Sequence, residues 1–488
     1  MVIESLKYKI LQQFGFAPTQ EQGQALDTFV SFLTDRDPQS VMILRGSAGT
    51  GKTSLSGAIV RTLLQIRQKV MLLAPTGRAA KVFSLGSGAS AYTIHRRIYR
   101  EKAFAGVDGQ FSLNDNLYTD TLFMVDEASM IANMGLGGTT FGSGCLLDDL
   151  VKFVYQGHND RLLLIGDKAQ LPPVGEEESP ALSASVMEGY GLKVYECDLN
   201  EVLRQSQSSG ILYNATLIRQ MITHDAVTGL PLIRFKGFAD IVMMPGAELV
   251  ESLGDSYHHV GMDETMVITR SNKRANIYNN GIRNMVLDRE EELSSGDMLM
   301  IVKNNYFWTE KEKKESGEGS AGAVPAFLAN GDRAKVLRGS NYIELYGFRF
   351  ATLLLQFPDY DDYEMQVTGM LDTLQSEAPA LTHEQQEELF RQVEEDYQHF
   401  VPLKADRMKS IRQDAYFNAL QIKYAYAVTC HKAQGGQWAH VYVDQGYMTD
   451  DMLTPDYIHW LYTAFTRATD KLFLVNWPKE QTCEPTDL

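Results

Sequence analysis

The stretch GSAGTGKTS, residues 46–54, follows a short apolar run at 41–44 and matches the pattern G-x-x-x-x-G-K-[ST]. A strand, a glycine-rich turn and a helix start in that order leave few folds open. Backbone N–H groups of such a loop wrap a polyphosphate because glycine allows backbone angles other residues resist. Gly46, Ser47, Ala48, Gly49, Thr50, Gly51, Lys52, Thr53 and Ser54 are therefore the candidate phosphate ligands. Lys52 would reach the β- and γ-phosphates, and the Thr53 hydroxyl would hold Mg²⁺. The competing reading is a glycine-rich helix start with an exposed lysine; the strand just before it argues for the phosphate loop.

Two further apolar runs end in chemistry of the same kind. LFMVDEAS places Asp126 and Glu127 at the end of a strand. Asp126 would help hold the metal, and Glu127 can take a proton from water. LLLIGDKAQLPPVGE ends a strand at Gly166-Asp167 and sets Gln170 just beyond it. In open α/β sheets ligand groups gather at the carboxyl ends of strands, so Gln170 is a candidate for sensing a γ-phosphate. A surface turn stiffened by Pro172 and Pro173 is the alternative there.

These runs belong to a longer series. Short β-rich segments recur at 41–44, 70–73, 122–125, 162–165 and 194–197, then at 241–244, 266–269, 424–428, 441–443 and 472–475, several followed by helical patterns. Strands buried on both faces and alternating with helices imply parallel sheets. Two stretches break the rhythm. Residues 101–120 read as a hairpin-like insertion, with Phe104, Phe111 and Tyr118 as small-core aromatics or a strand-separating wedge. Residues 296–412 carry a charged loop, TEKEKKESGEGSAG, then alternating apolar segments, then a helix opened by Thr382 and Gln385 as a capping box. The Gly-rich segment 133–144 reads as a mobile loop.

With 488 residues the chain is too long for one core. No apolar run reaches the roughly 18 residues of a membrane helix, and the N-terminus lacks a signal-peptide pattern. Cys145, Cys197, Cys430 and Cys483 are scattered, which argues against a metal cluster or disulfide framework and for a cytoplasmic setting. A net charge of −17 weighs against a nucleic-acid partner until its distribution is seen. Residues 359–396 hold twelve acids and one base, so eleven of the excess negatives lie in one segment and a basic groove elsewhere stays open.

Taken together, the motifs resemble the superfamily 1 helicases of subgroup B, the RecD and Dda type, in the family's order over nearly the whole chain. PTQEQ resembles the adenine-recognising Q motif and points to Gln22, although Thr19 and Gln22 also form a capping box. APTGRAAKVF and AYTIH resemble segments that face single-stranded DNA, implying contacts from Pro75, Thr76, Gly77, Thr93 and His95. LNEVLRQSQSSGI resembles motif IV, making Arg204 an arginine that reaches ATP. VITRSNKRANIYNNGIR matches through Asn279 and Arg283. TCHKAQGGQW resembles motif V: Thr429, His431 and Lys432 would touch DNA while Gln434 and Gly435 face the nucleotide. WLYTAFTRATDKLFLV resembles motif VI, with Arg467 as its arginine. The family usually has serine where this chain has Gly436.

The resemblance implies an α/β fold of two RecA-like P-loop lobes with parallel sheets. Lobe 1A would span 1–200 with the 101–120 hairpin as 1B. Lobe 2A would comprise 201–295 and 413–488, and 296–412 would be an inserted SH3-like β domain with a helix, 2B. It further implies ATP and Mg²⁺ as cofactors and single-stranded DNA and duplex junctions as partners. The expected molecule is a monomer that moves 5′→3′ and meets replication or recombination proteins. An RNA-dependent ATPase of the same fold and a RecD-type subunit of a recombination complex share these motifs. A small-molecule kinase would leave GDKAQLPPV, TCHKAQGG and YTAFTRA unexplained.

Overall fold

The computed structural model describes residues 2–105, 108–135, 142–201, 208–223, 229–316, 325 and 327–483. They fall into two compact units, Met1–Met244 with Ala433–Leu488, and Pro245–Lys432.

In the first unit six strands form one sheet: β1 (Ser40–Gly46), β2 (Lys69–Ala74), β3 (Ala91–Thr93), β6 (Thr121–Val125), β7 (Arg161–Gly166) and β8 (Lys193–Leu199), with β4 (Tyr99–Ala105) and β5 (Asp108–Leu113) pairing separately. The order is β3-β2-β6-β7-β1-β8, and every pairing is parallel. Every residue of β1, β6 and β7 is buried, which is why these segments read as unbroken apolar runs. Alternation hidden in those runs divides the core by face. Met42, Leu44, Met124, Leu163 and Ile165 pack into one layer, whereas Val41, Ile43, Phe123, Val125, Leu162 and Leu164 pack into the other. A parallel sheet puts all its carboxyl ends on one edge, so the phosphate loop, Asp126-Glu127 and Gly166-Asp167 are brought together by topology alone.

The strands Ile241–Met244, Ala468–Val475 and Trp438–Asp444 also pair in parallel within this unit. Helix Pro455–Phe465 connects the last two; Thr454 caps it and proline occupies its first turn, where no donor is needed. The α/β class with parallel sheets is as the sequence implies. Among the described residues no helix is long and apolar enough to cross a membrane.

In the second unit Met298–Ile301, Arg333–Leu345, Phe348–Phe357, Tyr363–Met370 and Leu420–Tyr424 close into a five-stranded barrel. Helix His383–Gln398 opens on the expected capping box of Thr382 and Gln385. The apolar run at 424–428, read as one strand, is two. Leu420–Tyr424 pairs antiparallel with Met298–Ile301 in the barrel, whereas Ala427–Thr429 pairs parallel with Thr265–Thr269. The side chain of Asn279 holds the break. Its Oδ1 accepts from Tyr426 N and Ala427 N at 3.0 and 2.8 Å, and its Nδ2 donates to Ala427 O at 3.0 Å. Hydropathy cannot register a change of sheet when both strands are buried.

Two other expectations change. The charged segment read as a loop is helical over Phe307–Ser316, because Glu and Lys are good helix formers even without an apolar stripe. Trp308 anchors that helix, donating its Nε1–H to Asn418 O at 2.9 Å. The Gly-rich loop at 133–144 lies partly outside the described residues.

Candidate functional site

The phosphate loop runs from β1 into helix Lys52–Gln65. Gly49 and Gly51 have φ of 76° and 81°, a region where a side chain is strained, which explains the glycines in the motif. The Lys52 ammonium turns back on its own loop, donating to the carbonyls of Gly46 and Ser47, the latter at 3.0 Å. Gln22 sits beneath the loop with both its amide atoms engaged. Oε1 accepts from Thr19 N at 3.0 Å and Nε2 donates to Thr50 O at 2.9 Å. The capping box is thus real, and it leaves one N–H and one lone pair of the amide unused.

Asp126 and Glu127 follow β6. Burial, with the Glu127 charge next to it, pushes the Asp126 carboxyl up to about 7. Glu127 has φ 53°, a left-handed conformation uncommon for a non-glycine residue and typical of residues re-aimed at functional sites. Thr53 offers a hydroxyl at the helix start, and among the described residues no cluster of three or more His, Cys, Asp or Glu side chains could enclose a metal. A hydroxyl and one carboxylate suit Mg²⁺, which keeps waters and phosphate oxygens as its other ligands. A cation there would also favour the charged form of Asp126, which burial opposes.

Gln170 and Arg467 complete the group. With its amide oxygen turned to Arg467, Gln170 accepts from Nη2 at 3.1 Å and donates to Glu127 Oε2 at 3.3 Å. Arg467 is 2% exposed. Its other donors go to neutral oxygens: Thr463 O, Gly436 O and Thr466 Oγ1, each at 3.1 Å. A guanidinium, an amide and a carboxylate therefore form one chain beside the phosphate loop. Gln434 Nε2 donates to Leu171 O at 2.7 Å, and a Cβ at Gly435 would lie 2.9 Å from the Thr76 hydroxyl, so these residues pack on the same edge.

Sequence reasoning left out Tyr462, Asp167 and His459. The Tyr462 hydroxyl donates to Asp167 Oδ2 at 2.6 Å and accepts from Ala48 N, inside the phosphate loop, at 3.0 Å. Burial, with the Asp167 charge beside it, raises the phenol's pKa well above its ordinary value, so it stays a donor. His459 Nδ1 lies 2.9 Å from Ala169 O, and Leu171 N donates to Thr463 Oγ1 at 2.8 Å. The motif VI helix is therefore tied to the loop after β7 along its length. On a helix of mostly buried residues, nothing in the sequence marks Tyr462 as different from core.

The expected nucleic-acid contacts fall into two groups. In the first unit Thr76 and Thr93 are helix caps, accepting from Ala79 N at 3.2 Å and Arg96 N at 3.4 Å. His95 lies with its ring 5.7 Å from that of Tyr99, and burial lowers it to about 4, so it is a neutral imidazole at pH 7. In the second unit Thr429 ends its strand, His431 is exposed, and Lys432 donates to Asn330 Oδ1. Burial and the Lys423 charge bring Lys432 down to about 8. Of the wedge candidates, Phe111 and Tyr118 pack against the buried core, and Tyr118 meets Phe123 edge-on at 5.5 Å. Phe104 pairs in register with Gly109 near the hairpin turn, where its side chain is outside the described set. Arg204 also lies outside the described residues.

At Gly436 a Cβ would come within 2.5 Å of the Trp438 ring and 3.1 Å of Arg78 Cδ. Arg78 stacks on that ring at 4.7 Å and donates to Gln437 O at 2.5 Å. The glycine thus goes with a tryptophan that fills the space. Gly436→Ser is expected to lower stability by about 1–3 kcal/mol in denaturant unfolding, and unchanged stability would mean that Trp438 moves aside freely.

Two family models match the chain, an AAA domain over residues 17–229 and a UvrD-like helicase C-terminal domain over 424–475. The ATP-dependent RecD2 DNA helicase of Deinococcus radiodurans is 30% identical over 157 residues, 32% of this chain and 18% of the relative. The ATP-dependent DNA helicase dda of Enterobacteria phage T4 is 25% identical over 267 residues, 53% of this chain and 55% of the relative. The chain thus spans at most about half the length of these two. A Pif1 helicase from Bacteroides, solved with ADP-AlF3 and ssDNA, aligns over 96% of this chain and 95% of its own at 14% identity and a TM-score of 0.45.

Proposed function

We infer from this chain's place among the RecD/Dda-like superfamily 1 helicases that it is an ATP-driven motor on single-stranded DNA that unwinds duplexes. The observation that carries the reading is the chain Arg467–Gln170–Glu127, in which Glu127 and Gln170 stand past the carboxyl ends of β6 and β7 in one sheet and Arg467 reaches Gln170 from the turn after helix Pro455–Phe465. Glu127 takes a proton from water as the water oxygen bonds the γ-phosphorus and the bond to the ADP oxygen breaks. Gln170 orients that water through its link to Glu127. Arg467 and Lys52 stabilise charge on the phosphoryl oxygens, with Arg204 as a further arginine. Thr53 and Asp126 would hold Mg²⁺, which neutralises charge between the β- and γ-phosphates when bound. Gln22 and Gly435 flank the nucleotide.

The DNA contacts in this reading are Pro75, Thr76, Gly77, Thr93 and His95 in the first unit and, separately, Thr429, His431 and Lys432 in the second. Residues 429–435 join two of these ligand surfaces along one short segment: Thr429, His431 and Lys432 on the DNA side, Gln434 and Gly435 on the nucleotide side. A shift on one side is passed to the other by the chain itself. In this reading 1–200 and 201–295 with 413–488 are the lobes, 296–412 is the insertion, Phe104 is the wedge candidate left nearest the hairpin turn, and translocation runs 5′→3′ as in the subgroup.

The test is ATP hydrolysis with and without DNA and RNA oligonucleotides, together with unwinding of 5′- and 3′-tailed duplexes. DNA-stimulated ATPase with 5′-tailed unwinding is expected, and ATPase unresponsive to DNA would overturn the reading. Binding also carries a pH signature. Lys432 in the free protein loses its proton near pH 8 instead of 10.5. DNA phosphate favours the charged form, so affinity is full below pH 8 and declines above it. Between pH 7 and 9 at constant salt the Kd for single-stranded DNA is expected to rise about tenfold, and Lys432→Arg to flatten the curve. Lys423, also lowered to about 8 by burial, donates to Ser376 O and acts on Lys432 through its charge. A flat wild-type profile would remove Lys432 as a phosphate contact.

A further inference from the structure

Arg219 stands beside the phosphate loop in an unusual state. It lies on helix Gly210–Thr223, whose Ile211, Asn214, Ala215 and Ile218 are buried. Asn214 locks that face, accepting from Arg234 N and donating to Arg234 O, both at 2.9 Å. The next position after Ile218 is thereby aimed at the loop after β1. Arg219 Nη1 donates to Ser47 Oγ and, at 3.5 Å, to Asn200 O. Its charge also acts on the Tyr462 phenol, which itself touches Ala48 N.

Among the described residues Arg219 has no anionic partner. Its Nε is buried and without a hydrogen-bond partner among the described residues. Nearby carboxylates are committed elsewhere: Glu196 and Asp198 to Arg45, Asp167 to Tyr462, and Glu21 to the backbone N–H of Glu201. A partly buried guanidinium held only by a hydroxyl and a carbonyl is costly unless an anion arrives to pair with it. Its fork of donors fits phosphate oxygens in two-point contacts.

We propose that Arg219 is a direct ligand of the triphosphate, a basic group on the chain's own helix 210–223 in addition to Lys52, Arg204 and Arg467. In the nucleotide-free state Ser47 and Asn200 hold its guanidinium in place. On binding, the guanidinium turns its free donors to the phosphate chain. This rests on the reading of the loop as an ATP site.

The experiment titrates the full chain, with Mg²⁺, against an N-methylanthraniloyl derivative of ATP, for the wild type, Arg219→Ala and Arg219→Lys. Arg219→Ala is expected to weaken binding at least about tenfold, because a hydrogen-bonded charge pair is lost. Arg219→Lys restores part of the loss, because it keeps the charge without the fork of donors. Melting provides a second readout. Nucleotide-free Arg219→Ala should melt no lower than wild type, while the rise in Tm on adding ATP shrinks. Arg219→Gln takes its place if the alanine variant does not fold. Affinity of Arg219→Ala within twofold of wild type, or of Arg219→Lys no better than that of Arg219→Ala, overturns the proposal in favour of a helix tether. Failure of the wild type to bind the derivative overturns the ATP site itself, so the two failures are distinct.

Discussion

Lys52→Ala is expected to cut ATP hydrolysis by about a thousandfold or more while single-stranded DNA binding changes less than about threefold. The ammonium now rests on the carbonyls of Gly46 and Ser47, neutral acceptors that a phosphate oxygen outcompetes because it is charged. Removing it leaves the γ-phosphoryl group without a cation at the base of the loop. The loop itself should survive, since Gln22 braces Thr50 O and Thr50 Oγ1 donates to Ser47 O at 2.8 Å. DNA binding is the control, because the candidate DNA contacts lie away from Lys52 in the sequence. Equal loss of hydrolysis and DNA binding would mean a folding defect, and hydrolysis within tenfold of wild type would remove Lys52 from the reaction.

Arg467→Lys is the second large effect, an expected fall of about a thousandfold in kcat with nucleotide affinity nearly kept. The guanidinium donates in three directions and also faces the Gln170 amide oxygen, which a lysine cannot reproduce. Lysine keeps the charge, so a stability loss is smaller than for alanine, where the buried carbonyl of Gly436 would lose its donor. The check is kcat against KM by steady-state kinetics, with thermal melting alongside. A kcat within tenfold of wild type would show that Arg467 only cements the turn after helix Pro455–Phe465.

Several parts of this site were legible before any coordinates. Lys52, Thr53, Asp126, Glu127 and Gln170 all lie within a few residues beyond a buried strand, and in a parallel sheet such ends share an edge. The capping box of Thr19 and Gln22 was legible as well, whereas the bond from Gln22 to Thr50 O was not. Other parts were not. Tyr462 and Arg219 lie on helices, where a polar atom reaching a distant loop leaves no periodicity. His95 was read as a DNA contact from its motif, and nothing in AYTIH announces that burial keeps its ring neutral.

The amino-acid sequence by itself determined the local chemistry: which strands are buried on both faces, where the loop can bind phosphate, and which side chains stand at strand ends. These follow from nearest neighbours, since hydropathy, glycine angles and caps act over a few residues. Only the tertiary structure decided that 424–428 breaks between two sheets around Asn279, and that Tyr462 meets Ala48 N. It alone set Gln170 between Glu127 and Arg467 and left Arg219 beside the loop with no acid paired to it among the described residues. Those outcomes join residues far apart in the chain, and such pairings depend on how packed layers bring surfaces together, which no local pattern encodes.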